Sequence, residues 1–475
     1  MTGRDDTIMR PSRYSTLTVL VALLSAPGIV LAMDPPGDPP KALSFTDARA
    51  TLIAHNETAL AAGEETAERR EERAATKAFY WPRVELHAQA THLDDTIVLD
   101  LDPIRQVIAS LHHLPASALP SFDTTFQKQN FWLTSASVTW PIYTGGKVQA
   151  AVKAAALQVT DAEQAQRQVI GSLSSDLVRR YFGLRRALRA RDVRAQALES
   201  LESQLTHAQA LEREGQIARV ERLHAEVARI DAAREVRNAD HDVALARTAL
   251  ASLLASDEPI DPASHLFLID DVGSLDTLVA RSTQNHPALA RLAAQRGRAD
   301  QALRAEQAAW LPSVAAFGMR ELHTSDLTLV SPTWAMGVAA SWTVFDGMER
   351  GHRIAAARTQ QSRVDLLEAR AKRDVSTLVE QKYRTLNKAR DEYRSLDATV
   401  ELAQEMLRVR RRAFEEGMGT SLEVVDAQLA LQGIQLKRLA AAYEFDVALA
   451  ELLEATGDAD RFESLRARAE VDAEK

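Results

Sequence analysis

Few side chains in this sequence sit at spacings that could do chemistry. Asp397, Glu401 and Glu405 recur every four residues, so a helix would hold their carboxylates in one stripe. They flank the apolar positions Val400 and Leu407, which leaves two readings open. Either the stripe is a solvated face balanced by Arg408, Arg410 and Arg411, or several copies arrange it as a ring of negative charge at a pore constriction. Such a ring attracts cations, repels anions and responds to pH and divalent ions. His112-His113 is the one adjacent histidine pair, in a stretch with Asp100, Asp102 and Arg105. Neighbouring side chains of an irregular loop seldom converge on a metal, so no metal site is assigned. His-Glu-x-x-His, Gly-x-Ser-x-Gly, a Walker lysine loop and Gly-x-Gly-x-x-Gly are all absent, so no catalytic residue and no cofactor is assigned. The chain has no cysteine, which rules out disulfides and thiolate chemistry. A formal net charge of -9 gives no pull toward nucleic acid.

The elements that must position the carboxylates are long helices. Val379, Leu386, Tyr393, Val400 and Leu407 repeat strictly every seven residues, and Val375, Ala389, Leu396 and Ala403 fill the second heptad position. Leu177, Leu184, Leu198 and Leu205 echo the pattern earlier, interrupted by Arg191. From Lys147 to Arg213 the helical pattern would span roughly 100 Å if unbroken, a length a globular core cannot use. Aromatic residues make up only 5% of the 475, consistent with a mainly α chain carrying a small β part.

The chain is one motif written twice. Trp140-Pro-Ile-Tyr-Thr-Gly-Gly146 resembles Trp342-Thr-Val-Phe-Asp-Gly-Met348 at a shift of 202, and the same shift carries Tyr181 onto Tyr383, Gly215 onto Gly417 and Glu221 onto Glu423. Upstream, Pro82 matches Pro312 at 230 and Asn56 matches Asn285 at 229. The difference places an insertion, about residues 96–127, in the first copy, with a short helical pattern at Ile104, Val107, Ile108 and Leu111 over a barrel mouth. Within each copy the period drops to two. Val84, Leu86, Ala88 and Ala90 alternate with polar partners, as do the stretches ending at Trp140 and Trp342, while the partner near Ser313 to Glu321 is less regular. This predicts four strands in two hairpins. Trp132 and Trp140, and Trp334 and Trp342, are each eight residues apart on one strand face, a separation of roughly 20 Å for tilted strands, close to that between the aromatic girdles of an outer-membrane barrel. Packing in a β core is the competing reading for those rings.

Residues 1–32 read as a cleaved export signal: Arg10 and Arg13 precede an apolar run, and Val30-Leu31-Ala32 suits signal peptidase. Met9 is an alternative start, and an anchor helix is the competing reading, interrupted by Pro27-Gly28. A Pro-rich linker at 33–43 follows. The first repeat covers 44–255, with a hairpin about 83–141 and helices 147–255. A linker at 256–273 leads to the second repeat, 274–456, with a hairpin about 313–345 and helices 348–456, and residues 457–475 form a charged C-terminal tail.

This combination resembles the TolC family of outer-membrane efflux and secretion channels. The resemblance rests on Asn56-Glu-Thr-Ala-Leu60 and Asn285-His-Pro-Ala-Leu289, on Trp81-Pro82 and Trp310-Leu-Pro312, and on the glycine turns at Gly145 and Gly347. Its most specific part is Phe414-Glu-Glu-Gly-Met-Gly-Thr-Ser-Leu-Glu-Val-Val-Asp-Ala-Gln428, a glycine turn between helices with a hydroxyl-acid cap, in which Ser421, Glu423, Asp426 and Gln428 look like the family's turn consensus. The first-copy turn, Glu214 to Arg219, lacks the second glycine and the serine, and Thr343 replaces the proline found at Pro141. The resemblance covers about residues 44–456. It implies a homotrimer whose twelve-stranded β-barrel, four strands per subunit, continues into a coiled-coil α-helical barrel across the periplasm of a Gram-negative cell. It also implies a periplasmic adaptor (membrane fusion protein) and an inner-membrane pump of RND or ABC type, in a tripartite efflux pump or a type I secretion system. Gly215, Gly417, Gly419, Thr420 and Ser421 would form the periplasmic tip that docks the adaptor. Four strands have two open edges, and unpaired backbone cannot face lipid, so closure by further copies follows from physics as well. The alternative function is a periplasmic helical adaptor or scaffold, which would show one helical hairpin inside a split β-domain and no duplication.

Overall fold

A computed structural model describes residues 40–122, 124–325, 332–469 and 471–474. The predicted signal at 1–32 and most of the Pro-rich linker lie outside the described residues.

The first copy runs through β1 (Lys41–Leu43), α1 (Phe45–His55), α2 (Glu57–Lys77) and β2 (Arg83–His92) to the insertion. There, α3 (Asp102–Leu111) sits between β3 (Ile97–Leu99) and β4 (Thr124–Gln127). The copy then continues as β5 (Asn130–Tyr143), α4 (Lys147–Arg213) and α5 (Arg219–Leu253). After β6 (Ile260–Pro262) and β7 (Phe267–Leu268), the second copy repeats the order as α6 (Leu275–Asn285), α7 (Pro287–Ala308), β8 (Ser313–Ser325), β9 (Trp334–Ser341), α8 (Glu349–Glu415) and α9 (Ser421–Thr456). The chain closes with α10 (Arg461–Arg466) and β10 (Val471–Asp472). Both α4 and α8 are 67 residues long and start 202 residues apart. The duplication read from the sequence is therefore a duplication of structure.

The strands form one antiparallel sheet in the order β2-β5-β8-β9. Val84 pairs with Val138, Val138 with Gly318, and Gly318 with Met336, so these four share a face. Period-two patterning thus gives the sheet an apolar side with Leu86, Ala136, Val338 and Ala340, and a side holding Glu85, His87, Gln89, Ser135, Ser137 and Thr139. The irregularity seen near Ser313 to Glu321 has a structural cause. The β5–β8 register shifts at Thr134/Ser135 and again at Pro141, which leaves the ladder no N–H to donate.

The α8 heptad packs as its periodicity predicts: Val379, Leu386, Tyr393, Val400 and Leu407 are all buried, and Phe414 extends the row by one more step. Helix α8 packs on α9 and α4 on α5, with α4 against α9 joining the two pairs. Midway along the helices lies the main core, where Phe45, Tyr181, Phe182, Phe267 and Phe462 pack with ring centroids 5.1 to 6.2 Å apart. The Tyr181 hydroxyl donates to Leu43 O at 2.7 Å and accepts from Ser264 N at 2.9 Å, fastening the linker between copies to α4.

Two readings need correction here. The second-copy partner of Asn56 is His286, not Asn285. Asn56 caps α2 through Thr58 N and Ala59 N, and His286 Nδ1 caps α7 through Ala288 N, which makes the upstream shift a uniform 230. The C-terminal residues are also folded onto the body rather than trailing as a charged tail. β10 pairs with β7, Ala473 is buried, and the Glu474 carboxylate, 2% exposed, accepts from Arg185 Nε at 2.7 Å, Arg189 Nε at 2.6 Å and Leu266 N at 3.0 Å.

Candidate functional site

The site has three levels: the sheet, the helical shaft and the hairpin ends. On the sheet, Trp132, Trp140, Trp334 and Trp342 are all about half exposed or more. Their indole N–H groups repeat the duplication: Trp140 donates to Tyr80 O at 2.9 Å and Trp342 to Trp310 O at 3.1 Å. Each ring thereby keeps its polar edge satisfied while its apolar body stays on the surface. Trp132 donates to Thr134 Oγ1 at 2.9 Å. Between the two rows the apolar face stays bare, with Leu86 at 72% and Met336 at 74% exposed. Strand β9 ends at Ser341, so Trp342 lies one residue beyond it.

At the far helix ends, Gly215 and Gly417 both have φ +74, the left-handed conformation that closes a helix C-terminus, and a Cβ there would meet open space. Gly419 does a different job. Its φ is not left-handed, but a Cβ would stand 3.3 Å from Phe414 N and 3.4 Å from Ala413 C, so it is small because the chain passes against the end of α8. Thr420 is the cap residue. Its Oγ1 accepts from Glu423 N at 3.3 Å, and its own N–H donates to Glu423 Oε2 at 3.1 Å, a reciprocal capping box. Ser421 is fully buried, and its N–H donates to Glu221 Oε2 at 2.8 Å.

The role of Glu221 is a contact that sequence reasoning missed. It matches Glu423 by the repeat, yet the cap position of its own helix is Ala218, whose methyl group cannot accept a hydrogen bond, and the carboxylate instead holds the other hairpin. The missing hydroxyl in Glu214 to Arg219 was the available clue.

The three carboxylates of the acidic stripe lie in one exposed row of α8 but differ in their partners. Asp397 pairs with Arg438 Nε at 2.9 Å, and Arg438 NH2 donates to Tyr393 Oη at 2.8 Å while stacking over its ring. Glu405 accepts twice from Arg408, at 2.7 and 2.8 Å, and that guanidinium lowers the pKa of its carboxyl. Glu401 is exposed and forms no ion pair among the described residues. Of the expected balancing arginines only Arg408 serves the stripe, because Arg410 turns to Glu423 and Arg411 bonds Ser200 across on α4. In the insertion, Asp102 is bound to Arg105, and no group of metal-ligating side chains converges among the described residues.

The outer membrane efflux protein model matches residues 49–256 and 278–458, the two copies in turn. The chain belongs to the outer membrane efflux protein family. No curated protein matches the sequence significantly. Solved structures of similar fold include CusC, at 15% identity and TM-score 0.71, covering 87% of this chain and 92% of that one. The Campylobacter jejuni CmeC outer membrane channel is similar at 12% identity and TM-score 0.69, with 87% and 86% covered. The Neisseria gonorrhoeae MtrE outer membrane channel is similar at 16% identity and TM-score 0.69, with 87% and 89% covered.

The fold is thus the TolC-like channel fold, and the chain is an outer-membrane efflux channel rather than an adaptor with a single helical hairpin. No described helix is long and apolar enough to cross a membrane.

Proposed function

We propose that this member of the outer membrane efflux protein family is a homotrimer, in which the four-stranded sheets of three copies close one twelve-stranded barrel in the outer membrane of a Gram-negative cell. The observation that supports this best is the sheet itself: one face is apolar apart from Arg320 and bordered by tryptophan, the other is polar along β2 and β5 and carries mainly small residues on β9, and among the described residues the sheet is open at β2 and β9. An open edge in hydrocarbon leaves backbone groups without hydrogen bonds, so β9 of one copy pairs with β2 of the next. The long helices then extend into the periplasm, and the hairpins at Gly215 and Gly417 form the end that meets a periplasmic adaptor and an inner-membrane pump of RND or ABC type.

The duct is passive and performs no catalysis. At the constriction, Glu401 is the best supported of the three carboxylates, because Asp397 and Glu405 each have an arginine partner.

A bulky side chain at the tip tests the docking role. Gly419→Leu crowds the end of α8, so it should abolish export and crosslinking to the adaptor while the trimer still reaches the outer membrane. Wild-type export by that variant refutes docking at the tip.

A further inference from the structure

Helix α4 has two faces at mid-length. Tyr181, Phe182 and Leu184 are buried in the main core. Turned away from Tyr181 run Arg179, Gly183, Arg186, Ala187, Ala190 and Arg194, the spacing of one helical stripe, with Ala187 and Ala190 packing against the edge of that core. There α4, α5 and α9 enclose a groove of about 510 Å³, floored by Ala187, Ala190, Ala246, Leu439 and Ala440.

Its rim holds Arg179, Arg180, Arg186 and Arg194 against one carboxylate, Asp242. Arg179 pairs with Glu451 at 3.0 Å and Arg180 with Asp176 at 2.8 Å. The other two are free of carboxylates among the described residues. Arg186 stacks over the Tyr443 ring at 4.5 Å, which holds the guanidinium plane and leaves its N–H edge available. Arg194 stands eight residues further along, about 12 Å at helical rise. Half-buried guanidinium groups beside an alanine floor match a ligand with an anionic head and an apolar body.

We propose that this groove binds amphiphilic organic anions, with the apolar part on the alanine floor and a carboxylate or sulfonate on Arg186 or Arg194. Its place in the bore rests on the channel reading. Leu43 and Ser264, from the elements joining the copies, fasten to Tyr181 on the far side of α4, so in the channel reading the groove side, which no described element covers, is the one left for the lumen. The groove then gives the duct a resting place for anionic cargo.

Titration calorimetry of 1-naphthalenesulfonate into the full chain in a maltoside detergent reads the site directly. Saturable binding is expected, weakened only about twofold by Arg186→Gln or Arg194→Gln, because the one sulfonate can use the remaining arginine, and about tenfold or more by both, when its charge-assisted bond is lost. Arg167→Gln, on the same helix outside the groove, should bind as wild type. Equal affinity in the double variant, or equal binding of the cationic 1-naphthylmethylamine by the wild type, overturns the proposal. Current through the wild-type channel in a planar bilayer should fall as the sulfonate is added. Binding without block removes the groove from the bore, whereas absence of any channel refutes the functional reading and leaves the binding result standing.

Discussion

Two carboxylates in the core respond to pH in opposite senses. Glu474 is held by Arg185 and Arg189, and despite its burial their hydrogen bonds lower its pKa in the fold. A depressed folded pKa means stability present above the unfolded value and lost as pH falls toward the folded one. Thermal melts from pH 6 down to pH 3 should therefore decline, and Glu474→Gln should already be destabilised by about 3 kcal/mol at pH 7, with a shallower acid decline. Asp446 is fully buried on α9, and desolvation, only partly opposed by the Phe267 backbone N–H and the Arg466 charge, raises its pKa well above the usual range. The fold then holds a proton that the unfolded chain has released, and stability falls as pH rises above the unfolded carboxyl value. Asp446→Asn should flatten the decline between pH 5 and pH 8 and raise the melting temperature at pH 8. An unchanged slope in that variant would assign the decline to other groups. Single-channel recordings separate the stripe carboxylates: Glu401→Gln should reduce cation selectivity, while Glu405→Gln, removing a charge already paired with Arg408, should change it little.

At the scale of elements, the tip is held together by a contact between copies of the repeat. Losing the Glu221 carboxylate leaves Ser421 N without its acceptor, and Glu221→Ala should cost about 1 to 2 kcal/mol locally. Amide exchange should then quicken in the first turn of α9 and stay unchanged near Leu386. Thr420→Val removes the cap and should quicken the same turn by a similar amount. The α8 heptad was legible in sequence because a seven-residue period reports burial directly, so Val379 to Leu407 could be named without coordinates. The cap was less legible, since Thr420 and Ser421 are both hydroxyl residues and only backbone geometry tells the cap from its buried neighbour. Glu221 and Glu474 were not legible as contacts, because their partners lie 200 and 289 residues away and a charged residue near a turn or terminus reads as solvated.

Over the whole molecule, duplication explains why one chain supplies two hairpins to a sheet and two hairpins to a tip. The two copies also differ: the insertion with α3 belongs to the first, and the glycine pair Gly417 and Gly419 to the second. Among the described residues the apolar sheet face has no covering element and both sheet edges are open, and the proposed trimer would cover them with lipid and with other copies of the chain. Light scattering of the detergent-extracted full chain, corrected for bound detergent, tests that trimer most directly. The expected result is particles of three polypeptides recovered from the outer-membrane fraction. A stable, folded monomer, or recovery from the inner membrane, would contradict it.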